Sequence, residues 1–553
     1  MILDFLFKKQ TNQNPLYLFN TLTREKDIFK PIKKGKVLFY QCGPTVYWTQ
    51  HIGNMRAMVM ADLINRTFKY FGYDVKFVRN YTDVGHLTSD QDTGEDKMEK
   101  SAKILSFICK ECGNISPTGI SITKNSFKTS DFVNNTFNCK FCNSLNTIDK
   151  KEMIFEPTPE QIANQYIKVF ENDVKELNTL SPNYKPRATS YIGEIIKMVQ
   201  ILLDKGFAYS TDLAIYFDIS KAKDYTKLSR QNLEENISGA GSAEVEDPNK
   251  KHPADFSVWF FKAGSHKNAL QFWESPFSSP LVKNGEGSPG WHIECSAMIR
   301  KLLGKTIDIH MGGIEHIPVH HTNEIAQSEA VNGVPLANYW LHNEWLVTNN
   351  SKMAKSEGTS FSLDDVKGKG FDPLALRFLF LQAHYRSRQN FTWEALEAAQ
   401  NGYNNLLDSI SSLGSKIGIV DHKFKEKFLE RIADDFNISQ ALAILFEILK
   451  ANISNADKLA TVLDFDKVFG LKLNESNNRP RHRVMITETG EFETKTNKVK
   501  LDVIPKEIKD SFDERKTARA NKDWKKSDEL RDKIKSLGYE VKDTPEGQQI
   551  SKI

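Results

Sequence analysis

The chain lacks several features that would narrow its function class at once. Its 553 residues contain only six cysteines. They contain no apolar run of about 18 or more residues, so the sequence predicts no membrane-spanning helix. Neither charge dominates, because 75 basic residues stand against 71 acidic ones, and any nucleic-acid surface must therefore be local. The apolar start, residues 1–8, is interrupted by Asp4 and has no cleavage site typical of a signal peptide. We expect a cytoplasmic protein of several domains.

The few cysteines form one close group and two distant residues. An even number of cysteines suggests disulfides, but without a secretion signal these are disfavoured. Two CxxC pairs with 26 residues between them are typical of a zinc ribbon, although this gap is longer than usual. The surrounding segment is rich in Asn, Ser, Thr and Lys and cannot build much apolar core. We therefore predict a structural zinc held by Cys109, Cys112, Cys139 and Cys142.

The two distant cysteines belong to a second set of metal-binding residue types. Cys42 follows an apolar segment, and Cys295 lies in a Gly-Trp-His-Ile-Glu-Cys sequence. His320 and Glu324 are four residues apart, so a helix would place both side chains on one face. Thiolate, imidazole and carboxylate groups are all competent zinc ligands, and these four residues could hold one ion.

Hydrophobic patterning predicts a parallel sheet. Residues 37–40 and 74–78 are predicted strands, and a helix of apolar periodicity over about 53–71 separates them. A strand–helix–strand unit of this length implies parallel strands with ligands at their carboxyl edge. Residues 306–310 are a predicted strand of the same sheet, and the helix that carries His320 should end near Asn332-Gly333. Beyond Asp372 the pattern is mostly helical.

Two short motifs could bind ATP. His51-Ile52-Gly53-Asn54 starts the first predicted helix, where backbone N–H groups can hold a phosphate and His51 can donate to it, although a capping histidine is commoner. Lys352 and Lys355, in Lys-Met-Ala-Lys-Ser, could stabilise charge on a transferring phosphate, although such strings are usually solvated surface. One motif follows the first predicted strand of the sheet and the other follows the last. This order favours ATP binding over a simple helix cap and a solvated surface segment.

With these motifs in this order, the chain resembles the class I aminoacyl-tRNA synthetases. It is similar to the cysteinyl-tRNA synthetase family along nearly its whole length. The matching segments are residues 42–47, 290–298, 320–328, 383–387 and 518–524. Two positions depart from the family pattern, since Asn54 stands where histidine is usual and Ala354 where serine is usual.

The resemblance implies a role for each candidate residue. Cys42, Cys295, His320 and Glu324 match the zinc ligands of the catalytic site. Cys42, Thr82, Trp291 and His310 match positions of the cysteine pocket. His51, Gly53, Asn54 and Lys355 match ATP-binding positions, and His51, Asn54, Lys352 and Lys355 match the catalytic ones.

The resemblance also implies the reaction. Cysteine would be activated by ATP, with Mg²⁺, to cysteinyl-adenylate and then transferred to the 2′-OH of the terminal adenosine of tRNA(Cys). Zinc would select the substrate as a thiolate, which the serine hydroxyl imitates poorly. An apolar pocket alone rejects such isosteres only about 100-fold, so thiolate ligation would make editing unnecessary. We expect the protein to act as a monomer.

The predicted fold is α/β, a split Rossmann-type catalytic domain with insertions and an all-α C-terminal region. Trp524, among lysines in that region, could stack on an anticodon base. The predicted boundaries are 1–103 for the first catalytic half, 104–153 for the zinc-ribbon-like insertion, 154–289 for a connective insertion, 290–372 for the second catalytic half with the zinc site and lysine loop, and 373–553 for the anticodon-binding region.

Three rival functions share some of these motifs. A cysteine ligase that acts on the amine of a sugar-inositol would use the same adenylate chemistry, but such enzymes lack the long helical tail. A non-catalytic tRNA- or zinc-binding paralogue would not need both lysines and a complete ligand set. Nucleotidyltransferases with a similar His-Gly motif lack the cysteine, histidine and glutamate set.

Overall fold

The computed structural model describes most of the chain. The described residues are 15–85, 101–121, 135–148, 154–232, 247–348, 351–353, 360–486, 492–496, 506–521, 523–537, 539–544 and 547–552. In the part of the chain that the structure describes, no helix combines the length and the apolar character needed to cross a bilayer.

The first part of the chain forms the strand–helix–strand unit that the sequence predicts. Its elements are β1 (Tyr17–Asn20), β2 (Glu25–Ile28), β3 (Lys36–Gln41), α1 (Ile52–Tyr70) and β4 (Asp74–Arg79). β3 and β4 pair in parallel along their whole length. Almost every side chain of α1 from Met55 to Phe68 is buried, because the helix lies between the sheet and the C-terminal helices.

The four-cysteine segment folds as two small hairpins, which we call the cysteine module. It consists of β5 (Ile104–Ile108), β6 (Ile115–Ser121), β7 (Thr136–Asn138) and β8 (Leu145–Thr147). Each pair is antiparallel, and each turn contains one CxxC sequence. The apolar cluster of the module is small and includes Phe107, Ile148 and two of the cysteines, as its composition predicts.

The connective region combines helices with a second sheet. It contains α2 (Pro159–Glu176), α3 (Ile192–Asp204), β9 (Ala208–Ser210), β10 (Ala214–Phe217), β11 (Phe256–Phe261) and β12 (Gly287–Pro289). A capping box between Thr158 and Gln161, with Pro159 at the first helical position, starts α2. The four strands form an antiparallel sheet in the order β12-β11-β10-β9.

The second half of the parallel sheet follows. Its elements are α4 (Trp291–Leu302), β13 (Ile307–Gly313), α5 (His320–Asn332), β14 (Ala337–Asn343), β15 (Leu346–Thr348), β16 (Ser351–Lys352) and α6 (Leu363–Gly368). The main sheet has the order β14-β13-β3-β4, and all its pairs are parallel. α5 ends at Gly333 in the left-handed conformation, with φ 69°, which confirms the predicted C-cap.

The C-terminal region is helical with additional hairpins. Its elements are α7 (Pro373–Leu381), β17 (Gln389–Phe391), α8 (Trp393–Ser411), α9 (His422–Ala433), α10 (Ile438–Lys450), α11 (Asn455–Phe469), β18 (His482–Ile486), β19 (Phe492–Thr496), α12 (Lys506–Ala520), α13 (Trp524–Ser536), β20 (Tyr539–Thr544) and β21 (Gly547–Lys552). β18 pairs with β19, and β20 with β21. β17 extends a small sheet beside β15. The sequence predicts only the helices of this region.

Candidate active site

A cleft of about 410 Å³ opens at the carboxyl edge of the main sheet. Parallel strands present their following loops at this edge, which is where ligands bind in such folds. The residues that line the cleft include Cys42, Trp48, His51, Gly53, Asn54, Thr82, Trp291, Cys295, His316, His320 and Met353. The structure therefore brings residues from both predicted sites, the zinc set and the first ATP motif, into one cavity.

Four side chains at one end of the cleft could hold a zinc ion. The ligand atoms of Cys42, Cys295, His320 and Glu324 all lie within 4.8 Å of one another, and all four residues are buried. His320 Nε2 lies 2.9 Å from Glu324 Oε1, and Cys42 Sγ lies 3.9 Å from the same oxygen. Two sulfurs, an imidazole and a carboxylate at this spacing fit the donor chemistry of zinc.

Electrostatics favour the metal-binding protonation states of Cys295 and Glu324, but not those of Cys42 and His320. Burial would lower the pKa of His320, but Glu324 and Cys295 outweigh it and raise this pKa to about 10. The hydrogen bond from Cys42 helps to lower the pKa of Cys295 to about 6, whereas burial raises the pKa of Cys42. Burial would raise the pKa of Glu324, but the neighbouring His310 and His320 lower it. Cys295 and Glu324 are therefore ready to act as anionic ligands at neutral pH.

A second donor set overlaps the first, and sequence reasoning missed it. Cys42 and Glu324 also lie within 4.8 Å of ligand atoms of His310 and His321. His321 Nε2 is 3.3 Å from Cys42 Sγ, and its Nδ1 is 2.7 Å from His342 Nε2. The only sequence feature that indicates this second set is the pair of adjacent histidines at positions 320 and 321. Spacing along the chain does not show that strand β14 brings His342 next to His321.

The residues predicted for the cysteine pocket do not all face the cleft. Thr82, three residues beyond β4, and Trp291, at the start of α4, line it, and the Trp291 ring stacks on His320 with 4.4 Å between ring centres. His310 is instead fully buried behind the zinc set. Its ring stacks on Trp340 at 4.6 Å, and its Nε2 lies 2.5 Å from Glu324 Oε2. In this structure His310 supports Glu324.

The first ATP motif forms the N-terminus of α1. His51 is the N-cap, and its Nδ1 accepts a hydrogen bond from the Asn54 N–H at 3.3 Å. A Cβ at Gly53 would stand 2.9 Å from the His51 ring, so glycine is required for the ring to fold over the helix start. His51 thus caps the helix. His51, Gly53 and Asn54 all line the cleft.

The residues on either side of segment 354–359, Met353 and Phe361, contact the same helix start. Met353 is buried, and its sulfur lies 3.7 Å from the position that a Gly53 Cβ would take. Beyond this segment, the Ile52 N–H donates to Phe361 O at 2.8 Å. Lys352 lies on β16, paired with Val347, whereas Lys355, with Ala354, lies outside the described residues.

The cysteine module presents a second group of metal-binding atoms. The sulfurs of its four cysteines lie within 4.8 Å of one another. Cys109 Sγ is 3.6 Å from Cys142 Sγ, and Cys112 Sγ is 3.6 Å from Cys139 Sγ. This arrangement joins the two hairpins and fits a four-thiolate zinc site.

Comparisons with known proteins agree with the geometry. The family model described as the catalytic domain of class I tRNA synthetases (C) matches residues 28–401. A second model, the cysteinyl-tRNA ligase anticodon binding domain, matches residues 502–550. The chain belongs to the cysteinyl-tRNA synthetase family.

Relatives in this family match the chain almost end to end. The cysteine–tRNA ligase of Treponema denticola is 38% identical, over 96% of this chain and 98% of the relative. Cysteine–tRNA ligase 1 of Burkholderia lata is 38% identical, over 97% of each. Among solved structures, a Mycobacterium tuberculosis methionyl-tRNA synthetase in complex with methionyl-adenylate is similar with a TM-score of 0.46 and 12% identity, over 80% of this chain and 91% of that one.

Proposed function

We propose that this protein activates L-cysteine with ATP and transfers it to tRNA(Cys). The observation that carries the proposal is the shared cleft, in which Cys42, Cys295 and His320 lie at one end and the His51 helix start at the other. An amino acid whose side chain reaches the first group presents its carboxylate toward a nucleotide held at the second. That geometry suits adenylate formation.

In the first step, an oxygen of the cysteine carboxylate attacks the α-phosphorus of ATP. A P–O bond forms, the bond between the α-phosphorus and the oxygen that bridges it to the β-phosphate breaks, and pyrophosphate leaves. Mg²⁺ bound with ATP would offset part of the phosphate charge. His51 and the amide groups at the start of α1 hold the phosphates, because a helix N-terminus attracts anions. Lys352 and Lys355 stabilise charge on the departing pyrophosphate.

The amino-acid end of the cleft is organised for a thiol. Cys42, Cys295, His320 and Glu324 would hold zinc, which would supply a Lewis acid that favours a thiolate over the hydroxyl of serine. Trp291 and Thr82 form the adjoining walls. His310, packed between Trp340 and Glu324, keeps the Glu324 carboxylate in place.

In the second step, a hydroxyl of the terminal ribose of tRNA attacks the acyl carbon, and AMP leaves. The C-terminal region holds the other end of the tRNA. Trp524 on α13 is 56% exposed, and the Arg519 guanidinium lies 5.4 Å from its ring centre. An exposed aromatic ring beside basic side chains suits stacking on an unpaired base.

The cysteine module would hold a second, structural zinc through Cys109, Cys112, Cys139 and Cys142. Its small apolar cluster supports this role, because four metal–thiolate bonds would stabilise hairpins that bury little surface. Reduced cysteines in both sets suit a cytoplasmic protein. We expect it to act as a monomer.

Metal analysis combined with cysteine-dependent pyrophosphate exchange tests this function. We expect two zinc ions per wild-type chain. Cys295→Ser and Glu324→Ala should each remove one zinc and abolish exchange, because each removes a ligand at the thiol end of the cleft. A matched variant in the module, Cys142→Ser, should lose the other zinc while the cleft retains its own. Full exchange activity in a Cys295→Ser variant that has lost the zinc of the cleft would refute the assignment.

A further inference from the structure

The cysteine module contacts the wall of the cleft through its second CxxC turn. Lys140 lies inside this turn, and its Nζ is 3.2 Å from the centre of the Trp48 ring. Trp48 stacks on Tyr166 of α2, with 6.2 Å between ring centres and 22° between the planes. Phe141 packs against the same tyrosine at 6.2 Å. Trp48 is therefore held between the module and the connective region.

The backbone that carries Lys140 is fixed by both hairpins of the module. The Lys140 N–H donates to Ser116 Oγ at 2.9 Å, which joins the second turn to strand β6 of the first hairpin. Ser116 is fully buried. Within the turn, the Asn143 N–H donates to Cys139 O at 2.9 Å. The position of the lysine thus depends on the folded module and not on a free loop.

Trp48 belongs to a tight loop, residues 45–50, that connects both ends of the cleft. Gln50 Nε2 donates to Thr45 O at 3.0 Å and to Trp48 O at 3.2 Å. The Val46 N–H donates to Thr82 O at 3.1 Å, and the loop leads directly into the His51 cap. A displacement of Trp48 would therefore be transmitted to the start of α1.

We propose that Lys140 is a positioning residue for the ATP-dependent step, an inference that rests on the proposed function. Its ammonium group is attracted by the negative face of the indole ring. By holding Trp48, it keeps loop 45–50 and His51 in the geometry that receives the phosphates of ATP. Lys140 acts through Trp48, and it needs no contact with the reacting atoms.

The module contains its own matched control. Lys110 occupies the same place in the first CxxC turn, and its N–H donates to Asn146 Oδ1 at 2.9 Å, as that of Lys140 donates to Ser116 Oγ. Both lysine side chains are exposed. The two residues therefore have equivalent backbone hydrogen bonds. Lys140 differs from Lys110 in the contact of its ammonium group with the Trp48 ring.

The test compares Lys140→Met, Lys140→Arg and Lys110→Met in the full-length, zinc-loaded protein. Pyrophosphate exchange is measured against ATP and against cysteine concentration. We expect Lys140→Met to lower kcat/KM for ATP about two- to fivefold, the range of an exposed cation–π contact, without changing KM for cysteine. Lys140→Arg should restore most of the loss, and Lys110→Met should match the wild type.

A double-mutant cycle with Trp48→Leu decides whether the effect passes through the ring. We expect Lys140→Met to cause no further loss in that background, with wild-type zinc content in every variant. The inference is overturned if the two losses multiply, if Lys140→Met releases zinc, or if it behaves like Lys110→Met. A wild-type protein without cysteine-dependent exchange would instead overturn the proposed function itself.

Discussion

Asp62 is the buried charge whose removal should weaken the link between the catalytic sheet and the C-terminal helices. It lies on α1 and is 1% exposed. Its carboxylate accepts from Arg66 Nε and from Arg377 Nη2, both at 2.7 Å, and from the Leu180 N–H at 2.7 Å. Arg377 is fully buried on α7. The substitution Asp62→Asn would therefore leave a buried guanidinium without its counter-charge.

The structure sets the size of the effect. Breaking one side of a buried ion pair costs about 3–5 kcal/mol. Asparagine keeps one acceptor oxygen, and Arg377 also donates to the carbonyls of Phe469 and Leu177, so we expect a loss near 3 kcal/mol. With an unfolding entropy of about 2.1 cal/mol/K per residue, a cooperative unit of about 400 residues would lose about 3–4 °C of thermal midpoint.

The effect should also depend on pH in a defined direction. Burial alone would raise the pKa of Asp62, but Arg66 and Arg377 hold it below the ordinary value. A carboxylate with a lowered folded-state pKa stabilises the fold above its ordinary pKa, and this contribution is lost as pH falls through the folded value. The difference between wild type and Asp62→Asn should be complete at pH 7 and should narrow below about pH 4.

Calorimetry of both proteins at pH 7 provides the assay, with Asp434→Asn as the control. Asp434 pairs with Lys26 at 2.6 Å, but the two side chains are 48% and 45% exposed. An exposed pair contributes at most about 1 kcal/mol, so this control should shift the midpoint by about 1 °C or less. Equal shifts for Asp62→Asn and Asp434→Asn would refute the reasoning.

Three further predictions concern the cleft, the connective region and the cysteine module. A Cβ at Gly43 would stand 1.7 Å from Asn80 O, so Gly43→Ala should displace the neighbouring Cys42 and lower cysteine-dependent exchange about tenfold or more. Unchanged exchange would contradict this. Burial, with Asp364 nearby, raises the pKa of Asp173 to about 8, so the wild type loses stability as pH rises from about 4 to about 8. Asp173→Asn should therefore raise the thermal midpoint strongly at pH 9 and little at pH 5, and a gain independent of pH would be inconsistent with this cause. Cys139→Ser should release one of two zinc ions and expose the module to limited proteolysis, whereas an unchanged zinc content would show that the module binds none.

Much of the catalytic sheet could be predicted from the sequence because its strands are apolar and turn-forming residues mark their ends. The strand predicted at 37–40 is β3 (Lys36–Gln41), and the helix predicted at about 53–71 is α1 (Ile52–Tyr70). The hairpin of β18 and β19 was missed, since it falls in a polar stretch without strand-like alternation. Such hairpins form through pairing between strands, and local patterning does not reveal their partners.

The residue types of the candidate site could be predicted from the sequence. Which of these residues face the cleft and which are buried behind it could not. Family motifs identify Cys42 and Glu324, and the structure brings them together. Spacing along the chain does not show that His310 lies behind Glu324 while Trp291 faces the cleft. That distinction depends on how α4 and α5 pack on strand β13.

Charging of tRNA(Cys) with labelled cysteine is the decisive assay of the proposed function, with serine supplied in a parallel reaction. We expect the zinc-loaded wild-type protein to esterify the tRNA with cysteine, serine to give no comparable product, and chelation of zinc to abolish the reaction. Absence of cysteine-dependent charging, or equal charging with serine, would contradict it.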